Sequence, residues 1–262
     1  MSELVPGSAF VTGGGSGIGR AIALALAERG AAVAVMDLRE DAAAAVAAAI
    51  VTKGGRAIAG GGDVSRWDDV DRAVSKLVAE LGPLGIIVNA AGVLDAYQPA
   101  DETSPELWKR VIAINLTGTF FGCKRALVEM LPAGSGRMIN IASVAGLAGD
   151  GGGAAYVASK HGVVGLTRRL ATSYGGRGIT TNAICPGPIE TDLRLNSMAI
   201  LGPGAPDMTN ARMSLERIRA LLPVGRRGSP EEVAAAACFL SAQDTGFING
   251  LMLTVDGGWT AQ

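Results

Sequence analysis

The sequence predicts an α/β fold: a doubly wound parallel sheet of about seven strands with helices on both faces. Three observations carry this expectation. Short apolar runs alternate with amphipathic helical stretches from one end of the chain to the other, and such alternation implies a parallel sheet sandwiched by helices. Each run is flanked by Gly, Pro, Asn or Asp, residues that end strands and start turns. The first run leads straight into a glycine-rich loop that opens a helix.

The elements follow in order. Ser8 to Thr12 reads as the first strand, and a helix runs from about Gly17 to Arg29. Ala31 to Asp37 is a second strand, followed by an alanine-rich helix to about Lys53. Its Ala42–Ala49 run is plain helix surface, since alanine has the best helix propensity. Arg56 to Ala59, Gly85 to Val88, Arg137 to Ile141 and Ile179 to Ile184 read as further strands. Between them lie helical stretches near Trp67–Leu81, Pro105–Leu131 and Ala154–Ser173. At Ser229-Pro230-Glu231-Glu232 another helix opens: serine caps it, proline suits the first helical position, and the acid closes a capping box. Leu251 to Val255 is the last strand, ending at Asp256-Gly257-Gly258. No linker or repeat interrupts the pattern, so residues 1–262 are expected to form a single domain.

Composition narrows the function classes. Of 262 residues, 48% are hydrophobic and 18% charged, enough for a substantial core. A net charge of −1 gives no reason to expect nucleic acid as a partner. Cys123, Cys185 and Cys238 sit far apart, which suits a reducing, intracellular setting. The chain's one histidine, His161, makes a zinc site or a Ser-His-Asp triad a poor expectation, and no metal is assigned. The N-terminus shows no signal-peptide pattern, and no uninterrupted apolar run of about 18 residues is present. A soluble, cytoplasmic chain without membrane contact is expected.

The glycine loop is Gly13-Gly14-Gly15-Ser16-Gly17-Ile18-Gly19, between a strand and a helix. Glycines let the backbone approach a pyrophosphate, and the helix N-terminus offers free N–H groups and a favourable dipole. Asp37 ends the next strand, 18 residues beyond Gly19. That is close to the roughly 20-residue offset of an acid that binds an adenosine ribose. A carboxylate there accepts from ribose hydroxyls and repels a 2′-phosphate, which favours NAD over NADP. Arg39, two residues on, is the counterweight.

Tyr156 and Lys160 lie four residues apart, on one face of a helix. A phenol is a poor base at neutral pH, with a pKa near about 10. A nearby fixed positive charge favours the phenolate. Ser143, at the end of an apolar run, adds a hydroxyl that can hold a substrate oxygen. Together they suit proton transfer in an alcohol/ketone pair.

With these motifs in one chain, the sequence resembles the classical short-chain dehydrogenase/reductase family, from about Gly7 to Gly258. Its marks are Thr12–Gly19, Asp63-Val64, Asn89-Ala90-Ala91-Gly92, Asn115, Ser143, Tyr156, Lys160, and Pro186-Gly187-Pro188-Ile189-Glu190-Thr191. One departure is Ala90, where the family often has a second asparagine. The resemblance implies a Rossmann-type sheet and a division of roles. Tyr156 is then the general acid/base, and Lys160 lowers its pKa and binds the nicotinamide ribose. Ser143 bonds the substrate oxygen, and Asn115 holds a water that relays protons from Lys160. The cofactor is held by Gly13, Gly15, Ser16, Gly17, Ile18 and Gly19, by Asp37 and Leu38, by Asp63 and Val64, and by Asn89, Ala90 and Gly92. Tyr156, Lys160, Pro186, Gly187, Ile189 and Thr191 complete that set.

In relatives the segment 191–223 is a mobile lid over the substrate. Here Met198, Met208 and Met213 offer it an adaptable apolar lining. The Gly149–Gly153 loop, with Asp150, is expected to form the opposite wall. Arg194 and Arg212 are read as solvated surface, and His161 has no role. Trp108, Phe120 and Phe121 are assigned to core or subunit contacts. The resemblance also implies a homotetramer, and in some relatives a terminal carboxylate that helps bind magnesium. The leading expectation is an NAD(H)-dependent oxidoreductase acting on a small secondary alcohol or its ketone. The alternatives are an NADPH-dependent reductase of 3-oxoacyl thioesters on an acyl carrier protein, and a dinucleotide-binding sensor without catalysis.

Overall fold

The computed structural model describes residues 2–208 and 214–261. Seven strands form one sheet in the order β3-β2-β1-β4-β5-β6-β7. They are β1 (Ser8–Thr12), β2 (Val33–Asp37), β3 (Ala57–Gly61), β4 (Leu84–Asn89), β5 (Gly136–Ile141), β6 (Ile179–Pro186) and β7 (Met252–Val255). Every neighbouring pair is parallel. Helices flank the sheet: α1 (Gly17–Glu28), α2 (Glu40–Thr52), α3 (Trp67–Leu81), α4 (Pro105–Ile112), α5 (Gly118–Ala133), α6 (Ala154–Tyr174), α7 (Leu193–Leu201), α8 (Leu215–Leu221) and α9 (Pro230–Leu240).

Alternation along each strand explains the two-sided burial. Ala9, Val11, Val33, Val35, Ile86 and Val88 point into one apolar layer, which α1, α2 and α9 complete. Their neighbours Phe10, Ala34, Met36 and Ile87 point into the other, against α3, α4 and α5. Successive strand side chains face opposite ways, and a parallel sheet buried on both faces needs apolar residues on both.

Departures from the sequence reading are local. The second strand starts at Val33 rather than Ala31, and the third runs on through Gly60 and Gly61, paired with Met36 and Asp37. The long helix from Pro105 is not uniform: a π-helical turn, Ala113–Thr117, separates α4 from α5. By length and composition Pro105–Ala133 would suffice to cross a membrane, with mean hydropathy 1.3 over its most apolar window, but 56% of that window is buried in the protein. Charged residues interrupt it, so no uninterrupted apolar run marks it in the sequence. At α9 the expected capping box is formed, with Ser229 and Glu232 bonding each other's backbone N–H.

Both β2 and β4 pair with β1, so the strand order reverses there. In doubly wound sheets the crevice beyond the C-terminal strand ends at such a switch point is where ligands bind.

Candidate active site

A cleft of about 600 Å³ opens at that switch point. Thr12 Oγ1 ties its floor together by accepting from the N–H groups of Ala90 (3.1 Å) and Ala91 (3.3 Å), joining the ends of β1 and β4. The glycine loop then packs backbone on backbone. A Cβ on Gly13, whose φ is +63°, would lie 2.7 Å from Ala91 Cα, and one on Gly19 would lie 2.2 Å from the Gly13 carbonyl oxygen. Gly13, Ser16, Gly17, Ile18 and Gly19 line the cleft at the start of α1.

Gly15 does not line it. Its N–H donates to Asp37 Oδ2 at 2.9 Å, while Arg39 N–H donates to Asp37 Oδ1 at 3.0 Å. Asp37 is thus oriented from both sides, and with Leu38 and Arg39 it walls one end of the cleft. Asp63 and Val64 stand beside them. Burial opposes ionisation of Asp63, yet hydrogen bonds from Ser65 and Arg110 hold its carboxyl below the usual range. A cradle that any Cβ would fill, a helix N-terminus and an oriented acid at the next strand's end fit a dinucleotide.

The chemical centre lies where β5 and α6 meet. Ser143 follows β5, and Tyr156 and Lys160 stand one turn apart on α6, all three lining the cleft. Lys160 Nζ donates to the carbonyl of Ile141 at 2.9 Å. Burial pushes the Tyr156 phenol up to about 12, against the pull of a hydrogen bond with Ser143. Burial likewise pushes Lys160 down to about 8. The expected lowering of the tyrosine by the lysine therefore does not dominate here. Removing both groups from water disfavours both charged forms, and one hydroxyl bond does not offset that.

Two more of the expected residues are supporting rather than lining. Asn89 is buried and turned into the core, where its Nδ2 donates to Asn140 Oδ1 at 2.9 Å. Asn115 lies in the π-helical turn, its Oδ1 accepting from Val93 N–H (2.8 Å) and its Nδ2 donating to Val93 O (2.9 Å) and Ser159 Oγ (3.0 Å). With its side chain so engaged, Asn115 braces the Gly92–Val93 backbone against α6. Gly92 needs that fit, because a Cβ there would lie 3.3 Å from Asn115 Oδ1 and 3.6 Å from Lys160 Nζ.

On the far side, Pro186, Gly187, Ile189 and Thr191 line the cleft after β6. Ile189 forms a parallel bridge with Gly228, which anchors this loop to the start of α9. Helix α7 spans the opening: Asn196 Nδ2 donates to Ser16 Oγ at 3.2 Å, and Ser197 Oγ accepts from Leu94 N–H at 2.9 Å. Met208 is buried with Leu94, Ala145 and Tyr156, and Met198 packs against them. Arg194 lines the cleft rather than standing free of it. Arg212, Met213 and the terminal carboxylate of Gln262 lie outside the described residues.

Sequence reading passed over three residues. Trp259, from the turn after β7, lines the cleft, and a Cβ on Gly151 would come within 3.6 Å of its ring. Tyr97 lines it too, although it and Ala96 both have positive φ, 60° and 58°. Such backbone costs about 1–3 kcal/mol per residue and persists where surroundings over-determine it. Asp95, wholly buried, accepts from the N–H groups of Gly153 and Tyr156 at 2.8 Å each. A period-2 or glycine signal marks none of these. The one hint was Asp256, whose carboxylate accepts from Gly258 N–H and Thr260 N–H and shapes the turn carrying Trp259.

Comparison with known proteins agrees with this fold. Residues 13–260 match the family model described as enoyl-(acyl carrier protein) reductase. 3β-Hydroxysteroid dehydrogenase 2 of Eggerthella lenta is 39% identical over 97% of this chain and 95% of its own length. The chain belongs to the short-chain dehydrogenase/reductase family. Cyclohexanol dehydrogenase of an Acinetobacter species is a further member, 38% identical over 97% of this chain and 95% of its own. A crystal structure of a Beutenbergia cavernae protein with low-occupancy NADP superposes with a TM-score of 0.86 at 36% identity, covering 99% of both chains. Like these short-chain dehydrogenases, the protein is an oxidoreductase acting on CH–OH groups.

Proposed function

We propose that the protein is an NAD(H)-dependent dehydrogenase that interconverts a secondary alcohol and its ketone, with Tyr156 as general acid/base. The observation that carries this reading is the meeting of Ser143, Tyr156 and Lys160 in the cleft whose other end is walled by Asp37. When bound, a nicotinamide supplies hydride exchange with the carbinol carbon. Gly13, Ser16, Gly17, Ile18, Gly19, Asp37, Leu38, Asp63, Val64, Ala90, Gly92, Pro186, Gly187, Ile189 and Thr191 would hold the dinucleotide, and Gly15 and Asn89 would act through the backbone they support.

Ser143 Oγ orients the substrate oxygen. In reduction the Tyr156 phenol gives its proton to the substrate oxygen and becomes phenolate, and in oxidation the phenolate takes the hydroxyl proton back. The Lys160 ammonium offsets charge on the phenolate as it forms, and Asn115 holds the Gly92–Val93 backbone in register with Lys160. Leu94, Ala145 and Met208 around Tyr156 make the substrate end apolar, which suits a ring-bearing alcohol such as those named in its relatives.

Asp37 favours NAD, since a carboxylate facing the ribose repels a 2′-phosphate. A second reading, NADPH-dependent reduction of a 3-oxoacyl thioester, draws on Arg39 at the same end of the cleft. Initial rates with NADH and NADPH, on cyclohexanone and on a 3-oxoacyl thioester, separate the two. A preference for NADPH and the thioester would overturn the first. The whole chain forms a single domain with 191–223 as its lid. We place it in the cytoplasm as a homotetramer, a state supported by Trp108, Phe120 and Val128, which stand exposed on α4 and α5.

A further inference from the structure

Helix α6 begins without a cap of its own. Gly153 stands at its N-cap and has no side chain to offer. The N–H groups of Gly153 and of Tyr156 are instead taken, at 2.8 Å each, by the two oxygens of Asp95, which lies 58 residues before Gly153 in the loop after β4. Asp95 is 0% exposed. A carboxylate is costly to bury, so its retention at this point calls for a return in geometry. The contact is tight throughout. Ala154 N–H donates to the Gln98 carbonyl at 3.0 Å, and a Cβ on Gly153 would lie 2.5 Å from Gln98 N and 2.7 Å from Asp95 Oδ1. Between those two anchor points the chain is forced through the left-handed backbone of Ala96 and Tyr97, and Tyr97 is delivered to the cleft.

We propose that Asp95 is a positioning residue: by clamping the first turn of α6 to the loop after β4, it sets where the Tyr156 hydroxyl and the Tyr97 ring stand in the cleft. The proposal rests on the reading of Tyr156 as acid/base. It extends that reading to a residue that touches no reacting atom, and it explains why the strained pair at 96 and 97 is kept. Strain of this kind persists only when the flanks hold it, and here the flanks are Asp95 and Gln98.

The clamp also has an electrical consequence. The ionisable groups facing the Tyr156 phenol are Asp95 and Tyr97 from the loop after β4 and Lys160 from its own helix. Ser143, after β5, contributes a hydrogen bond, and Cys185 on β6 faces Lys160 rather than the phenol. The negative charge of Asp95 opposes formation of the phenolate.

Asp95→Asn is the test, because it keeps the side chain's shape and one acceptor while turning an amide N–H toward a backbone N–H. A misplacement of the order of 1 Å costs about 10²-fold in rate, so kcat for alcohol oxidation is expected to fall by about that factor. Cofactor affinity, read from protein fluorescence, is expected to stay as in the parent. Phenolate titration of Tyr156, followed by ultraviolet difference absorbance against Tyr156→Phe, is expected to move to lower pH. A kcat and a titration both like the parent's would overturn the proposal. So would a loss of kcat that tracks thermal stability with no shift in titration, the mark of a merely structural residue. Should Asp95→Asn not fold, Gly153→Ala presses on the same clamp from the other side, and an unchanged kcat there overturns the proposal equally. The titration needs no turnover, so it judges Asp95 even if Tyr156→Phe stays active, the result that would sink the acid/base reading itself.

Discussion

The Lys160 ammonium stands 5.6 Å from the centre of the Tyr156 ring and gives a hydrogen bond to the Ile141 carbonyl at the end of β5. Helix α6 and strand β5 thus share the lysine, and the phenol's electrostatics depend on how well both are docked. Burial sets the two groups' resting protonation, with the phenol neutral through the physiological range. On the proposed reading, a neutral phenol is a ready acid for ketone reduction and leaves oxidation dependent on the groups that stabilise its phenolate.

On the proposed reading, Tyr156→Phe removes the proton carrier and little else. Turnover of a good secondary alcohol is expected to fall by about 10²–10⁴-fold. Cofactor binding, measured by fluorescence titration, is expected to persist. Near-parental turnover would refute the assignment.

Ser143→Ala should move the pH profile in the opposite direction from Asp95→Asn. The Ser143 hydrogen bond lowers the phenol, so its loss leaves the phenol still higher. The rise of the oxidation rate with pH is then expected at higher pH, along with a lower kcat. Profiles of kcat for both variants and the parent, run in one buffer series, check the two signs together.

Asp37→Ala should weaken discrimination between the cofactors. It deletes both the carboxylate proposed to face the ribose and the bonds that hold Gly15 N–H and Arg39 N–H. Hydrogen bonds to charged groups are worth about 1.5–3 kcal/mol, so the NADH-to-NADPH ratio of kcat/KM is expected to drop by about tenfold or more. Steady-state rates with each cofactor measure this, and an unaltered ratio would remove Asp37 from cofactor choice.

Trp259→Ala opens the wall beside Gly151. Burial of an aromatic ring against a substrate is worth of the order of 1–2 kcal/mol, so KM for cyclohexanol is expected to rise by about tenfold. KM for a small acyclic alcohol and the affinity for NADH are expected to change far less. Equal changes for both alcohols would deny Trp259 a part in selection.

Glu232→Gln tests the anchor behind the Pro186–Thr191 loop. Hydrogen bonds from Arg226 and from Ser229 N–H hold Glu232 down at about 2, against an ordinary 4.5. A carboxyl lowered in the folded state stabilises it above the ordinary value, and that contribution is lost as pH falls from 4.5 toward 2. The variant is therefore expected to melt below the parent at pH 7, and the gap to close on acidification. Thermal melts across that range give the comparison.

The sheet and most of the cleft could be read from one dimension because their signals are local. Short continuous apolar runs mark Val33–Asp37 and Leu84–Asn89, the Ser229–Glu232 cap marks α9, and the glycine loop marks the start of α1. Asp37 was legible from its distance to that loop. Asn89 shows the limit of this: a motif placed it near the cofactor, but the pleat turns its side chain to Asn140, and a Cβ on Gly122 would reach within 2.0 Å of its Oδ1. Asn115 was found by its motif, while the π-helical turn that holds it was not, since no residue type announces an extra residue in a helix.

Residue order alone therefore settled the kind of chemistry: a glycine loop, an acid at a set offset, and a phenol and ammonium on one helix face. Those features depend on spacing within one or two elements, which backbone geometry translates directly into position. Folding settled the rest. That Asp95 caps a helix 58 residues away, that Tyr97 and Trp259 both line the cleft, and that burial raises the Tyr156 phenol are products of long-range contact and desolvation. Neither has a signature in a linear pattern, because both depend on which surfaces the sheet brings together and how much water that removes.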